Sequence, residues 1–380
     1  MYFYIIVTLA VLLPILLDNK KLGLRLAMFL LFILLGFQYE LVQDWEPNIG
    51  RWYYANKGAS ENATATSLKM GSVFLWLMKF FEPITFFGWL MLTAAVFLLL
   101  IYKYIKHYVP PKYYWLSIFI FMMNVEYAPL MINSNRQCIS MIFVMIGVHF
   151  LINGIKKRFS LIPDCVAVYV IPFACFIVGA QCHSIAYISF LLIPLYMFSK
   201  WYKGANWLLV AIIIDSIFIA RTFSQVSWLQ NYAFAFSVAA DIGDVDVYLD
   251  WIAGGLGETS SVYTTIYSLI ILGICYLYRH FTPEIRFFAI SWVFGLMIAS
   301  YFTGNINRLG EYFYIYFIFL LPNAFYIMFK YNRGITAAIT SLFFCVYVAY
   351  GIGHSWKQMH GEYYERWLDY KSVFDAPQWE

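Results

Sequence analysis

Two arginines and a histidine stand out because each lies at the edge of a long apolar run. Arg136 and Gln137 begin one run, His183 begins a second, and Arg308 and Tyr312 lie at the start of a third. Ionised side chains at membrane depth are costly and are therefore functional candidates. Guanidinium groups beside helix N-termini, whose free N–H groups carry positive partial charge, predict a binding site for phosphate or diphosphate. Arg308 and Tyr312 are four residues apart and share one helix face.

Other polar and aromatic residues lie in or beside the same regions. Asp44 and Arg51 occur between the second and third apolar runs, and Asn305 and Asn307 come just before the last of the three runs above. Trp45 is one of the aromatic residues outside the apolar runs, where ring faces can stack on sugars. Structural roles stay open for all of these candidates: an arginine anchored at lipid headgroups, a packed histidine, or solvated loop charges.

Composition places these residues in a membrane protein. Of the 380 residues, 62% are hydrophobic and 12% are charged, against about 45–50% and about 25% in soluble domains. Apolar runs that approach the length of a bilayer crossing, about 20 residues, occupy most of the chain. The remainder is too short for an appended Rossmann domain, a kinase lobe or a nucleic-acid-binding module, so we expect no nucleic acid partner.

Twelve apolar runs predict twelve membrane-spanning helices in a single all-α, multi-span domain over residues 1–380. The runs lie at about 2–17, 22–37, 84–102, 113–127, 136–153, 161–179, 183–199, 207–220, 261–278, 287–303, 309–329 and 334–352. The segment 67–82 is apolar but brief and contains two lysines. We therefore predict that it forms a helix in the outer membrane interface rather than a crossing.

The charges of the connecting segments predict the orientation of the chain. Short basic turns, among them those with Arg279 and Lys330, alternate with longer and more acidic segments. The positive-inside rule makes the basic turns cytoplasmic. The external side then holds both termini and three long segments, at about 38–83, 221–260 and 354–380. All the candidate residues named above are on that external side.

No motif indicates a resident metal or cofactor. Asp244-Val245-Asp246 resembles the metal-binding DxD of nucleotide-sugar enzymes, but it lies in an acidic external loop with no nucleotide-binding fold around it. The six cysteines are scattered without CxxC or Cys/His spacing, which is typical of packing residues. Asp215 lies inside an apolar run. Its carboxyl group either pairs with an arginine or is protonated, and the sequence leaves both alternatives open. We expect neither a cofactor nor a metal ion.

Four short motifs, in this order on a many-span chain, resemble those of the EpsG branch of Wzy-type bacterial exopolysaccharide, O-antigen and capsular polysaccharide polymerases. The motifs are Asp44-Trp45, Asn135-Arg136-Gln137, His183-Ser184-Ile185-Ala186 and Arg308-Leu309-Gly310-Glu311-Tyr312. The similarity covers most of the chain. Members often carry an arginine a few residues before the loop aspartate, where this chain reads Gln38-Tyr39-Glu40-Leu41-Val42-Gln43; its role is either absent or taken by Arg51.

The resemblance implies a GT-C-like polymerase architecture and a specific reaction. An oligosaccharide would pass from an undecaprenyl-diphosphate-linked donor to a lipid-linked acceptor repeat unit, on the external side of the bacterial inner membrane. Arg136, Arg308, Gln137 and Tyr312 would bind the diphosphate, whose growing charge must be stabilised. Direct displacement by a sugar hydroxyl inverts the anomeric centre and needs one base, for which the residues leave two candidates, His183 and Asp44.

The same sequence also suggests further substrate contacts, partners and alternative functions. Arg51, Trp45, Asn305 and Asn307 are candidate substrate contacts, and a flippase and a chain-length regulator of the same pathway are candidate partners. An O-antigen ligase, or another polyprenyl-dependent glycosyltransferase, shares the donor and differs in the acceptor. A membrane O-acyltransferase would also use a histidine but needs no external arginine pair. A lipid-linked oligosaccharide flippase would carry functional charges toward both faces and commonly internal repeats, which the sequence lacks.

The predicted orientation can be tested with single cysteines at positions 57, 157 and 244. We expect a membrane-impermeant thiol reagent to label the cysteines replacing Lys57 and Asp244 in intact cells, because both positions are predicted to be external. The cysteine replacing Lys157 should react only after permeabilisation. Labelling of position 157 from outside, or protection of the other two positions, would contradict the orientation.

Overall fold

The computed structural model describes residues 2–39, 45–57, 71–123, 135–154, 169–202, 273–274, 276–301, 309–331, 335–360 and 372. These residues are helical almost throughout and include no β-strand, only an isolated bridge between Gln38 and Ser372. The helices are α1 Tyr2–Leu16, α2 Lys20–Gly36, α3 Trp45–Lys57, α4 Ser72–Phe80, α5 Thr85–Tyr108, α6 Tyr114–Met123, α7 Asn135–Asn153, α8 Ile171–Cys182, α9 Leu192–Trp201, α10 Pro283–Tyr301, α11 Glu311–Tyr314, α12 Phe317–Tyr331 and α13 Ile335–Met359.

The all-α prediction is confirmed for these residues, and the apolar runs that they cover are helices. Among them, four continuous helical stretches are long and apolar enough to cross a membrane: Glu82–Tyr108, Asn135–Asn153, Ser184–Trp201 and Glu311–Tyr331. The predicted run at 207–220, most of the run at 261–278 and the whole 221–260 loop lie outside the described residues. The total of twelve spans therefore stays a prediction.

The first long segment contains more structure than the sequence suggests. The segment 67–82, predicted to form an interface helix, contains the helix α4, which is followed by a 3₁₀ turn at Glu82–Ile84. Its position at the membrane interface stays a prediction. A second helix, α3, precedes it, although no apolar run marks it. Pro47 does not prevent α3, because proline is tolerated in the first turn, where backbone N–H groups have no partner within the helix.

The chain divides into two compact units. The first unit comprises Met1–Ile146, Val178–His183 and Ala338–Glu380, and the second comprises Gly147–Ile177 and Ser184–Ala337. The sequence predicts a single membrane domain, and that prediction stays open.

Helices α1, α2, α5 and α6 form the body of the first unit. Leu24, Leu31 and Leu35 of α2 are completely buried, and their spacings of seven and four residues place them on one helix face. Leu26 and Phe29, on the other side of α2, are 40% and 59% exposed. Large apolar side chains on an outer face are expected where lipid, rather than water, surrounds a helix.

Aromatic packing organises the second unit around α10 and α12. The rings of Phe288 and Tyr316 are stacked with centroids 5.3 Å apart, and those of Trp292 and Phe317 are stacked at 4.5 Å. All four side chains are buried. Tyr196 of α9 adds an edge-to-face contact with Phe287 at 5.6 Å. The core of this unit therefore consists of interlocking aromatic rings, each of which buries a large apolar area.

Candidate functional site

The N-terminus of α7 carries three polar residues at its first turn. Asn135 and Gln137 are only 2% and 1% exposed, and Arg136 between them is half-buried. The first backbone N–H groups of a helix have no acceptor within that helix and carry positive partial charge. The Arg136 side chain adds a full charge to this end. The first turn of α7 therefore presents positive charge, and anion binding there stays a prediction.

Close contacts show that α7 and α8 pack antiparallel. A Cβ atom on Gly179 would lie 3.1 Å from the backbone oxygen of Ser140. Seven residues further along α7, a Cβ on Gly147 would lie 2.7 Å from the Phe176 ring and 3.1 Å from Cβ of Cys175. Moving forward along α7 thus means moving backward along α8. The N-terminus of α7 and the C-terminus of α8 consequently lie at the same end of this helix pair.

His183 lies directly after α8, at that same end. Its backbone N–H donates to the carbonyl oxygen of Gly179 at 3.0 Å, which continues the hydrogen bonding of the last turn. The side chain is half-buried, and a 3₁₀ helix, Ser184–Leu191, begins at the next residue. The sequence places His183 at the start of a span. In the structure it also follows a helix C-terminus, so the carbonyl end of α8 offsets the positive helix end that the sequence predicts beside it.

The start of helix α4 contacts the C-terminus of α8 at Gln181. Gln181 is two residues before His183. A Cβ atom on Gly71, which precedes α4, would overlap the backbone oxygen of Gln181. The Ser72 hydroxyl donates to Oε1 of Gln181 at 3.1 Å. Only a residue without a side chain permits this backbone approach. The first long segment of the chain is thereby held beside the end of α8 that carries His183.

Helix α3 is tied to the same region through α5. The Trp52 and Trp89 ring centroids are 5.9 Å apart, and Phe74 of α4 contacts Trp89 edge-to-face at 6.4 Å. Nη1 of Arg51 donates to Oδ1 of the buried Asn48 at 2.9 Å. The sequence predicts Arg51 as a loop residue with substrate contacts. In the structure it is a half-buried helix residue with a hydrogen bond inside α3.

The remaining candidates lie apart from these residues or outside the described part of the chain. Tyr312 belongs to the second unit and is completely buried in α11. A Cβ on Gly310 there would lie 3.0 Å from the backbone oxygen of Gly295, so this segment packs tightly on α10. Trp45 begins α3, but its side chain is not described. The predictions for Asp44, Arg308, Asn305 and Asn307 fall on residues outside the described ranges.

The described ranges contain no cluster of side chains that could hold a metal ion. Three or more His, Cys, Asp or Glu side chains do not come together there. Asp215, Asp244 and Asp246 are not among the described residues.

Sequence reasoning missed three of the four residues that build this end of α7 and α8, and it included the fourth, Asn135, only as part of a motif. Gly71, Ser72 and Gln181 make the contact just described, and Asn135 is buried at the first turn of α7. Oδ1 of Asn135 has no hydrogen-bond partner among the described residues. A buried amide oxygen of this kind is costly unless a ligand or water donates to it. The signals available were a polar Gln181 near the end of an apolar run and a Gly-Ser pair before an amphipathic segment.

Comparison with known proteins completes the description of the site. A family model described as the EpsG family matches residues 21–372, which is nearly the whole chain. The chain belongs to the EpsG family. Membership confirms the resemblance seen in the short motifs, and it makes the chain a membrane protein of polysaccharide biosynthesis, in a family associated with glycosyltransferase or polymerase activity. No curated protein and no solved structure matches the chain.

The contact at Gly71 gives a testable prediction for this EpsG family member. Gly71→Ala should lower polysaccharide production in cells, because the methyl group forces α4 away from the Gln181 carbonyl at a cost of about 1–3 kcal/mol. Gly50→Ala is the matched control in the same segment, since a Cβ there meets nothing within 4 Å. Polysaccharide should be measured relative to the amount of inserted protein. Equal production by the two variants would show that docking of α4 is unimportant.

Proposed function

We propose that the chain is a polysaccharide polymerase. It transfers an oligosaccharide from an undecaprenyl-diphosphate-linked donor to a lipid-linked acceptor repeat unit, on the external side of a bacterial inner membrane. The observation that carries this proposal is the antiparallel packing of α7 and α8. This packing brings Arg136 at a helix N-terminus, suited to a diphosphate, to the same end of the pair as His183, a candidate base.

The leaving group makes the first chemical demand. As the bond from the anomeric carbon to the diphosphate oxygen breaks, negative charge grows on the diphosphate. Arg136 and the N–H groups at the first turn of α7 stabilise this charge, with Gln137 as an additional hydrogen-bond donor. Arg308 and Tyr312 remain proposed diphosphate ligands on the sequence argument. Fixed guanidinium groups supply the positive charge that a metal ion brings to other phosphate sites, so the reaction is metal-independent.

The acceptor makes the second demand. Its sugar hydroxyl attacks the anomeric carbon while a base removes the hydroxyl proton, which forms the new glycosidic bond with inversion. His183 is the proposed base, because it lies at the same helix-pair end as Arg136 and its side chain is half-buried rather than enclosed. Asp44 is the alternative base. The energy comes from the diphosphate-linked donor, so no nucleotide is needed.

The first long segment is proposed to form part of the substrate site. Support comes from α4, which is docked at the Gln181 carbonyl beside His183, and from α3, which shares the Trp89 contact with α4. Asn135 is a proposed substrate contact, since its buried amide oxygen needs a donor such as a sugar hydroxyl or amide. Trp45, Arg51, Asn305 and Asn307 are proposed sugar contacts. A flippase and a chain-length regulator are proposed partners.

Removal of the Arg136 guanidinium should abolish polymer formation. We expect Arg136→Ala to lose on the order of 3 kcal/mol of transition-state stabilisation, comparable to the loss of an oxyanion donor. Arg136→Lys should restore little activity, because an ammonium group lacks the planar fork that grips two phosphate oxygens. The measurement is polymer formed by purified enzyme from a defined lipid-linked donor.

Arg25→Ala is the matched control for Arg136→Ala. Arg25 is also an arginine near the start of a long helix, but it is exposed and its Nε donates to the Tyr102 hydroxyl at 3.2 Å. This variant should keep near-normal turnover. Wild-type polymer from Arg136→Ala would reduce Arg136 to a headgroup anchor. If the enzyme transfers the oligosaccharide to a different lipid acceptor and the chain does not grow, the protein is a ligase and not a polymerase.

The base can be identified from the acid side of the rate profile. If His183 is the base, activity should fall on the acid side of the profile, because the protonated ring cannot accept a proton. His183→Gln should then remove this limb along with most of the rate, and His107→Gln, a change at an exposed histidine in the last turn of α5, should change neither. Near-normal turnover of His183→Gln, with loss of activity in Asp44→Asn, would assign the base to Asp44.

A further inference from the structure

The second unit carries a cluster of cations and aromatic rings, at the ends of helices, that the polymerase reaction does not use. Arg279 and His280 lie in the 3₁₀ turn Tyr278–His280, and Lys330 and Tyr331 end α12. The His280 and Tyr331 rings are stacked with centroids 4.9 Å apart. The Lys330 ammonium lies 5.3 Å from the centroid of the Tyr331 ring. Two separate chain segments thus place their cations around one stacked pair of rings.

The donors of this cluster point to an anionic ligand. Nε of Arg279 donates to Nε2 of His280 at 3.0 Å, so in this arrangement the proton of a neutral His280 ring is on Nδ1. That leaves the terminal nitrogens of Arg279, Nδ1 of His280 and the ammonium of Lys330 as donors. No carboxylate of the described residues pairs with any of these three side chains, all of which are exposed. Two cations are therefore held by rings alone.

The surroundings of the cluster indicate that the ligand also has an apolar part. Tyr276 and Tyr331 are 61% and 56% exposed, and Tyr326 and Phe329 are 39% and 37% exposed. Lys330 is the next-to-last residue of the stretch Glu311–Tyr331, which is long and apolar enough to cross a membrane. Exposed aromatic rings and cations at the end of such a helix lie at the depth of lipid headgroups. A soluble phosphate would use the cations but would cover little of the exposed aromatic surface.

We infer that the Arg279–His280–Lys330 cluster binds the phosphodiester headgroup of an anionic phospholipid, with its acyl chains against the exposed rings. On the predicted orientation this lipid belongs to the cytoplasmic leaflet, whose anionic lipids attract basic residues near the membrane surface. Phosphatidylglycerol satisfies both requirements, since its phosphate charge is uncompensated. Phosphatidylcholine is disfavoured because its own quaternary ammonium neutralises the phosphate and competes with Arg279 and Lys330.

Binding can be measured with the purified full-length protein in a neutral detergent. Phosphatidylglycerol, phosphatidylcholine and soluble glycerol phosphate are titrated separately, and bound lipid is followed by native mass spectrometry and by the midpoint of thermal unfolding. We expect phosphatidylglycerol to bind and to raise the midpoint, with a clearly smaller effect of phosphatidylcholine. The double variant Arg279→Gln, Lys330→Gln should bind phosphatidylglycerol about tenfold more weakly or worse. Both residues are exposed, so this variant should fold.

Lys112→Gln is the matched control. Lys112 is an exposed lysine in another predicted cytoplasmic turn, the 3₁₀ segment Pro111–Tyr113 of the first unit, and its loss should leave lipid binding unchanged. Equal weakening by Lys112→Gln would overturn the proposal in favour of general attraction by basic turns. Unchanged binding by the double variant would also overturn it. A glycerol phosphate effect equal to that of phosphatidylglycerol would show a site for soluble phosphate and would overturn the lipid assignment.

Discussion

The close approach of α7 and α8 is the constraint on which the candidate site depends. Within a membrane the hydrophobic effect does not drive helices together, so association relies on packing and on small residues that let backbones meet. Gly179 meets the Ser140 carbonyl and Gly147 meets the Phe176 ring, each at a distance that a larger side chain would prevent. The relative levels of Arg136 and His183 follow from these two contacts. A wider spacing would separate the helix end proposed to bind the diphosphate from the proposed base.

A glycine also permits close backbone approach where the first long segment contacts α8. Gly71 brings a loop-borne helix onto the Gln181 carbonyl, and Ser72 adds a hydrogen bond to the side chain of the same residue. A contact made through backbone atoms holds the segment at a defined position while leaving the side chains around it free to vary. The contact, made at Gln181, lies two residues before His183 and leaves the His183 side chain half-buried, which is what the proposed transfer of an oligosaccharide requires.

The second unit is stabilised differently, by interlocking rings such as Trp292 on Phe317 and Phe288 on Tyr316. Large rings make many contacts at once and leave little room for water, which suits a rigid support. Tyr312 is fully buried in this unit, so its ring contributes to packing. At the ends of the helices the rings become exposed and lie beside Arg279 and Lys330 instead. The chain therefore uses aromatic residues both for the core of this unit and beside the exposed cations at its helix ends.

The sequence by itself determined the class of the protein, most of its described helices and the polar residues worth testing. Apolar runs encode helices locally, and a charge such as Arg136 is conspicuous against them. Only the tertiary structure decided that α7 and α8 pack antiparallel, which puts Arg136 and His183 at the same end of the pair. It also decided the contact of Gly71 with Gln181, the hydrogen bond of Arg51 to Asn48 and the burial of Tyr312. The helix α3 also escaped sequence reasoning, since its stability comes from packing of Trp52 on Trp89 rather than from an apolar run. Such contacts join residues far apart in sequence, and they depend on how closely two backbones approach, which no local pattern records.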